Sequence, residues 1–457
     1  MKERGRGTPI RRVMLTRRTL LARGLAAGAA VSGAGLLMSR LAFANAAAGT
    51  SDARFVFIIL RGALDGLSAV PPIGDPAYAA LRRDIAVSPP GSPEGALRLD
   101  GTFGLHPSLA FFSEAWQAKQ LTVCHAVASP YRERSHFDGQ DVLESGFVRA
   151  HAAQSGWLNR ALVALPGAGT VGASGGAAKR RDVGVALGAN IPLVMRGPAD
   201  VASWSPSRLS VLDEDTLQRI GDLYAQDPLL ARRLADALAS DAIAQDAQRS
   251  SPKMQPELDP NNMKVAASDD DPNETLPQRV ERARRQGGAQ YGEVVKAAAG
   301  FLRRDDGPRV AVFDTTGWDT HANEGAGKGL LAYRLAALDT GLRSLRDSLG
   351  PVWNRTVVLI ATEFGRTAAI NGTRGTDHGT GAAAFVLGGA VRGGRMLTDW
   401  PGLAPNALYE GRDLRPTTDL RSVMKTLLRD HLGIPQKHIE RDVFPESGTA
   451  GYIDRLV

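Results

Sequence analysis

Continuous apolar runs alternate with amphipathic stretches over much of the chain. Phe55-Val56-Phe57-Ile58-Ile59-Leu60 is uninterrupted and β-rich, which predicts a strand buried on both faces. Further strands are predicted at Leu121–Val127, Arg309–Phe313, Thr356–Ala361 and Ala384–Leu387, the last closed by Gly388-Gly389. Helical spacing predicts helices over Ser108–Ala118, His136–Ser145, Leu330–Leu349 and Thr418–Leu432. In the third, Leu331, Leu335, Leu338, Leu342 and Leu345 recur on one face. Strands alternating with helices predict an α/β fold whose mostly parallel sheet is covered on both sides.

The pattern changes in the middle. Residues 213–246 read as a long charged helix. Residues 248–278 are rich in Ser, Pro, Asp and Asn, the composition of a linker. The predicted organisation is therefore an N-terminal segment 1–46, a first part of the core over 47–150, an inserted cap over 151–300 and a second part of the core over 301–457. No internal repeat is evident. No G-x-G-x-x-G follows the first strand and no Walker-A pattern occurs, so those nucleotide-binding classes lose support.

The first 46 residues read as an address. They hold nine Lys/Arg and one Glu, with Arg17-Arg18 directly before an apolar, Gly/Ala-rich run that ends in Ala44-Asn45-Ala46. A basic region, an apolar region and a small-x-small end are the parts of an export signal, here of twin-arginine type. The expected location is periplasmic or otherwise exported, with the twin-arginine machinery as a partner. The chain has 457 residues and a formal charge of +7. Removing a segment of +8 from +7 leaves −1, so the basic balance belongs to the leader and gives no support for a nucleic-acid partner. A hydrophobic content of 43% can build a sizeable core. The single cysteine, Cys124, excludes an internal disulfide framework and cysteine-based metal clusters. No run of about 20 uninterrupted apolar residues appears, so no integral membrane protein is expected after cleavage.

In open α/β sheets the chemistry gathers at the carboxyl ends of the strands. Asp65 follows the first predicted strand; Arg134, Ser135 and His136 follow the second. Asp314, Asp319 and His321 follow the third, and Glu363 and Arg366 the fourth; His378 precedes the fifth. Carboxylates and imidazoles on one rim suit a divalent metal, and Zn²⁺, Mn²⁺, Mg²⁺ and Ca²⁺ all remain open. Simpler roles stand beside these. Asp65-Gly66 is also a turn dipeptide, and Glu363 can pair with an arginine. Ser135 can be only the N-cap of the following helix, although a helix N-terminus also receives anions. His106 reads as structural, His125 as a satisfied core histidine, and His151, His431 and His438 as surface residues.

Together with the leader, several motifs carry a resemblance: Arg61-Gly62-Ala63-Leu64-Asp65-Gly66-Leu67-Ser68, Gly104-Leu105-His106-Pro107, Arg134-Ser135-His136-Phe137-Asp138, Gly317-Trp318-Asp319-Thr320-His321, Thr362-Glu363-Phe364-Gly365-Arg366-Thr367 and Asp377-His378-Gly379-Thr380. The chain resembles the exported bacterial family filed as domain of unknown function 1501. Its strand-end pattern in turn is similar to the alkaline phosphatase/sulfatase superfamily. That second resemblance implies an alkaline-phosphatase-like three-layer sandwich and a hydrolase of phosphate or sulfate esters. It implies Ser135 as nucleophile aided by Arg134, Arg61 and Arg366 as anion-binding residues, and a metal held by Asp65, Asp319, His321, Glu363 and His378. The expected substrate is a small anionic ester or a surface polymer. Phe364 stands where that pattern has a histidine, and the alternative is an exported binding or assembly protein that keeps the fold without the chemistry.

Overall fold

The computed structural model describes residues 52–165, 183–188, 190–206, 219–221, 223–224, 227–250 and 291–457. The leader, with Arg17 and Arg18, and linker residues 251–278 lie outside the described residues. The chain divides into two compact units, one of residues 44–206 and 243–457 and one of residues 1–43 and 207–242. In the smaller unit the described residues are mostly helical.

The larger unit is built on a mostly parallel sheet, nine-stranded among the described residues. The apolar run after Arg54 forms β1 (Arg54–Arg61). A small ribbon, β2 (Leu97–Arg98) with β3 (Gly104–Leu105), lies apart from the main sheet. The main sheet adds β4 (Leu121–Ala128), β5 (Gly184–Leu187), β6 (Ala202–Trp204), β7 (Val310–Thr316), β8 (Thr356–Ala361), β9 (Ala382–Leu387), β10 (Arg395–Leu397) and β11 (Thr418–Asp419). The order is β10-β4-β9-β8-β1-β7-β5-β6, with β11 also on β4. All neighbours run parallel except β9, which is antiparallel to both β4 and β8. The start of β9 therefore lies on the same rim as the ends of β4, β8, β1 and β7.

The main helices among the described residues, in chain order, are α1 (Gly66–Ala69), α2 (Tyr78–Arg82), α3 (Ala110–Gln117), α4 (His136–Ser145), α5 (Trp157–Val163), α6 (Pro228–Ser250), α7 (Leu330–Leu349) and α8 (Leu420–Asp430). Alternation along β1 sends Val56, Ile58 and Leu60 to one core, with Phe112 of α3 and the Leu331–Leu345 stripe of α7. Phe55, Phe57 and Ile59 enter the other, with Trp157 of α5 and Val423, Leu427 and Leu428 of α8. Helices thus cover both faces, as the uninterrupted apolar run of β1 requires.

Three expectations change. Strand β7 runs through Thr316, because Asp314–Thr316 keep their pairing with Ile59–Arg61 despite their polarity. Within 151–300, α5 packs into the core and β5 and β6 extend the sheet beside β7. These pieces belong with the core, which composition did not suggest, since strands of four and three residues are too short to show a period. His431 is not on the surface, and His438 is half-buried. His431 is buried against the Arg54 carbonyl at 2.8 Å, and His438 reaches the Arg160 carbonyl at 3.0 Å. No helix among the described residues is long and apolar enough to cross a membrane.

Candidate metal centre

Three imidazoles meet on the rim. His136 is the first residue of α4, His321 follows β7 through Gly317-Trp318-Asp319-Thr320, and His378 lies before β9. The Nε2 atoms of His136 and His378 are 2.9 Å apart, and those of His321 and His378 are 3.0 Å apart. Asp319 joins them: Oδ1 lies 3.0 Å from His321 Nε2 and 3.3 Å from His378 Nε2, and Oδ2 lies 3.5 Å from His136 Nε2. Two close approaches of backbone allow this. Gly62, at φ +117°, brings the end of β1 to the Asp319 amide, where a Cβ would stand 2.7 Å from the nitrogen. Gly379 lies against the Arg366 carbonyl, where a Cβ would stand at 2.3 Å.

The other ring nitrogens determine what the meeting point holds. His378 Nδ1 lies 2.9 Å from the Arg134 carbonyl, which can only accept, so Nδ1 carries the proton. His136 Nδ1 lies 2.8 Å from Glu363 Oε1 and His321 Nδ1 lies 3.1 Å from Asp377 Oδ1. Both carboxylates sit below their ordinary range. For Glu363, burial pushes upward, but the hydrogen bonds from His136, Gln140 and the Gly62 amide outweigh it. For Asp377 the Asn371 amide is the main cause. With the proton on Nδ1, an imidazole that is neutral turns an Nε2 lone pair toward its neighbours and toward the Asp319 carboxylate. Such an array of acceptors is relieved by a cation among them, either a metal ion or a proton on His136, whose pKa the hydrogen bond to Glu363 raises. Two atoms each about 2.05 Å from one ion stand roughly 2.9–3.4 Å apart at right-angled to tetrahedral angles, close to the observed separations. His136, Asp319 and His378 each offer one ligand atom within 4.8 Å of the others, and His321 adds its Nε2 beside two of them. Imidazole nitrogen with one carboxylate suits Zn²⁺ and other first-row metals better than Mg²⁺ or Ca²⁺.

The expected residues divide. Asp319, His321 and His378 converge. Glu363 is wholly buried behind His136, holding its Nδ1 and accepting from Gly62 N at 2.9 Å and Gln140 at 3.2 Å. Asp65 is elsewhere: its carboxylate caps α1 through the Ser68 amide and is ion-paired with buried Arg82. That pair belongs to a closed network with Glu324, which accepts from Ser68, Thr320 and Thr376 at 2.8, 2.9 and 3.0 Å.

The two expected anion-binding arginines, Arg61 and Arg366, and Arg134, expected to aid the nucleophile, are all ion-paired within the protein. Arg61 pairs with Asp314 and, at 2.7 Å, with Glu144. Arg134 pairs with Asp413 at 2.8 Å and Glu410 at 2.6 Å. Buried Arg366 donates to Asp319 at 2.6 Å and to the Thr376 carbonyl at 2.5 Å, which orients the Asp319 carboxylate. Ser135 is the N-cap of α4 but makes no capping bond to it; its amide donates to the Tyr131 hydroxyl at 3.1 Å. His136 was legible in advance only as a polar residue after a strand and was assigned no role. Phe364, where a histidine was expected, packs on it with ring centroids 5.0 Å apart, so the third imidazole comes from the helix instead. Phe137, its neighbour, is 85% exposed beside the centre.

The family model described as Protein of unknown function (DUF1501) matches residues 52–443. No curated protein matches the chain.

Proposed function

The chain belongs to the DUF1501 family of proteins of unknown function, and from that premise we propose that it is an exported, metal-dependent hydrolase of phosphate or sulfate esters. The observation that carries the reading is the set of three imidazoles. Each has its Nδ1 proton fixed by a protein acceptor, and the Nε2 atoms meet beside Asp319. His136, Asp319 and His378 would hold a single ion, with His321 Nε2 beside Asp319 and His378. When bound, the ion supplies Lewis acidity toward an ester oxygen. Glu363, Asp377 and the Arg134 carbonyl keep the imidazole protons on Nδ1, and Arg366 keeps Asp319 turned inward. Because the nearby arginines are committed, the positive groups left for an anion are the ion and the amides of α4, whose N-terminus has no side-chain cap. Ser135, next to His136 at that terminus, would form the bond to phosphorus or sulfur. The ester oxygen would depart as the alcohol with the Ser135 proton, and water would then release the anion and restore the hydroxyl. The mostly parallel sheet with its site at the carboxyl rim supports an alkaline-phosphatase-like architecture.

The same committed arginines favour a second reading, an exported binding protein without turnover. Metal analysis followed by an aryl-phosphate and aryl-sulfate panel separates the two. Bound zinc with turnover that Ser135→Ala abolishes supports the hydrolase; metal-free protein inert after reconstitution rejects it. Replacement of both Arg17 and Arg18 by Lys tests export, and an undiminished periplasmic yield would reject the leader.

A further inference from the structure

We infer that Arg134 serves the metal centre through its backbone, as a positioning residue for His378, and not through its charge; the inference rests on the metal reading above. Arg134 adopts φ +64°, the left-handed region that disfavours a residue with a Cβ. In that conformation its carbonyl accepts from His378 Nδ1 at 2.9 Å. Such a conformation persists where the surroundings over-determine it, and the segment 410–413 does so. Arg134 Nε donates to Asp413 Oδ2 at 2.9 Å and Nη2 to Glu410 Oε2 at 2.6 Å, while Arg412 Nη2 donates to the His378 carbonyl at 2.6 Å. One short segment therefore grips Arg134 by its side chain and His378 by its backbone. Asp413 is wholly buried, and the partly exposed Arg134 guanidinium pairs with it at 2.8 Å.

The consequence lies in the tautomer. With the Arg134 carbonyl in place, the His378 proton stays on Nδ1 and Nε2 keeps its lone pair for an ion. If residue 134 relaxes to negative φ, the carbonyl turns away and the proton can move to Nε2, which blocks that ligand. A backbone role predicts an order opposite to a charge role: glycine, which adopts left-handed φ without cost, should replace Arg134 better than alanine.

The test places both substitutions in an Asp413→Asn background, so that no unpaired buried carboxylate confounds folding. Zinc affinity is measured by chelator competition, and the ¹⁵N shifts of His378 are measured in the metal-free protein. Arg134→Gly/Asp413→Asn should keep affinity within about threefold of wild type and keep the Nδ1–H tautomer. Arg134→Ala/Asp413→Asn should lose about five- to thirtyfold, the equivalent of roughly 1–2 kcal/mol for a Cβ at left-handed φ, and should show mixed tautomers. Equal losses in both variants, no loss in either, or a wild-type His378 protonated on Nε2 would overturn the inference. A protein that binds no zinc yet holds the tautomer more firmly with glycine than with alanine would reject the metal reading and sustain only the positioning of His378 by the Arg134 backbone.

Discussion

Glu363→Gln isolates the charge behind His136 from the hydrogen bonds around it. Glu363 Oε1 accepts from Gly62 N at 2.9 Å, His136 Nδ1 at 2.8 Å and Gln140 Nε2 at 3.2 Å. Oε2 meets the Thr362 hydroxyl at 2.9 Å. A glutamine can leave its oxygen among the three donors and direct its NH₂ at Thr362 Oγ1, which already has the Leu60 carbonyl for its own proton at 2.7 Å. The hydrogen bonds survive and the negative charge goes. The His136 imidazole becomes a weaker donor to a cation, and loss of such a supporting carboxylate typically lowers metal affinity about 10- to 100-fold, roughly 1.4–2.7 kcal/mol. Folding stability should change by no more than about 1 kcal/mol, because no buried donor is stranded. Glu363→Ala, by contrast, strands three donors at about 1–3 kcal/mol each and should unfold far more readily. Zinc competition with a chromophoric chelator, paired with urea unfolding of the metal-free protein, reads both quantities. Unchanged affinity in Glu363→Gln would refute the supporting role. A loss as deep as that of His136→Ala would make Glu363 a ligand in its own right.

His136→Ala should lower zinc affinity by about 10²–10³, the loss of one protein ligand; equal binding by chelator competition would remove His136 from the centre. Burial, with the charge of Asp65, raises the Glu324 carboxyl to about 7. A pKa raised in the folded state stabilises below the unfolded value and ceases to as pH rises through 7. Urea stability of the metal-free protein should therefore decline from pH 5 to pH 8, and Glu324→Gln should flatten that decline; an identical slope in the variant would contradict it. Leu342→Ala empties a fully buried position of α7 and should cost about 2–5 kcal/mol in urea unfolding; a cost below about 1 kcal/mol would place the helix outside the core.

Much of the framework was legible because it rests on local periodicity. The run at Phe55–Leu60, the strand Thr356–Ala361 and the leucine stripe of Leu330–Leu349 bury apolar side chains wherever the chain folds, and their spacing states which face. Strand ends marked the rim for the same reason, and Asp319, His321 and His378 converge there. The short strands Gly184–Leu187 and Ala202–Trp204 were not legible, because three or four residues carry no period and their place is set by the edge of β7.

What the sequence determined alone is a partial inventory: the longer strands, which polar residues lie at their ends, and that the basic charge sits in the first 46 residues. Which of those residues face one another was decided by tertiary structure. Asp65 and His136 show why. Both follow a predicted strand, but Asp65 turns to Arg82 and caps α1. His136 is carried by α4 to within 2.9 Å of a histidine 242 positions away. A side chain's partner depends on the direction in which its helix or loop leaves the sheet, and that direction is set by long-range packing that no local spacing encodes.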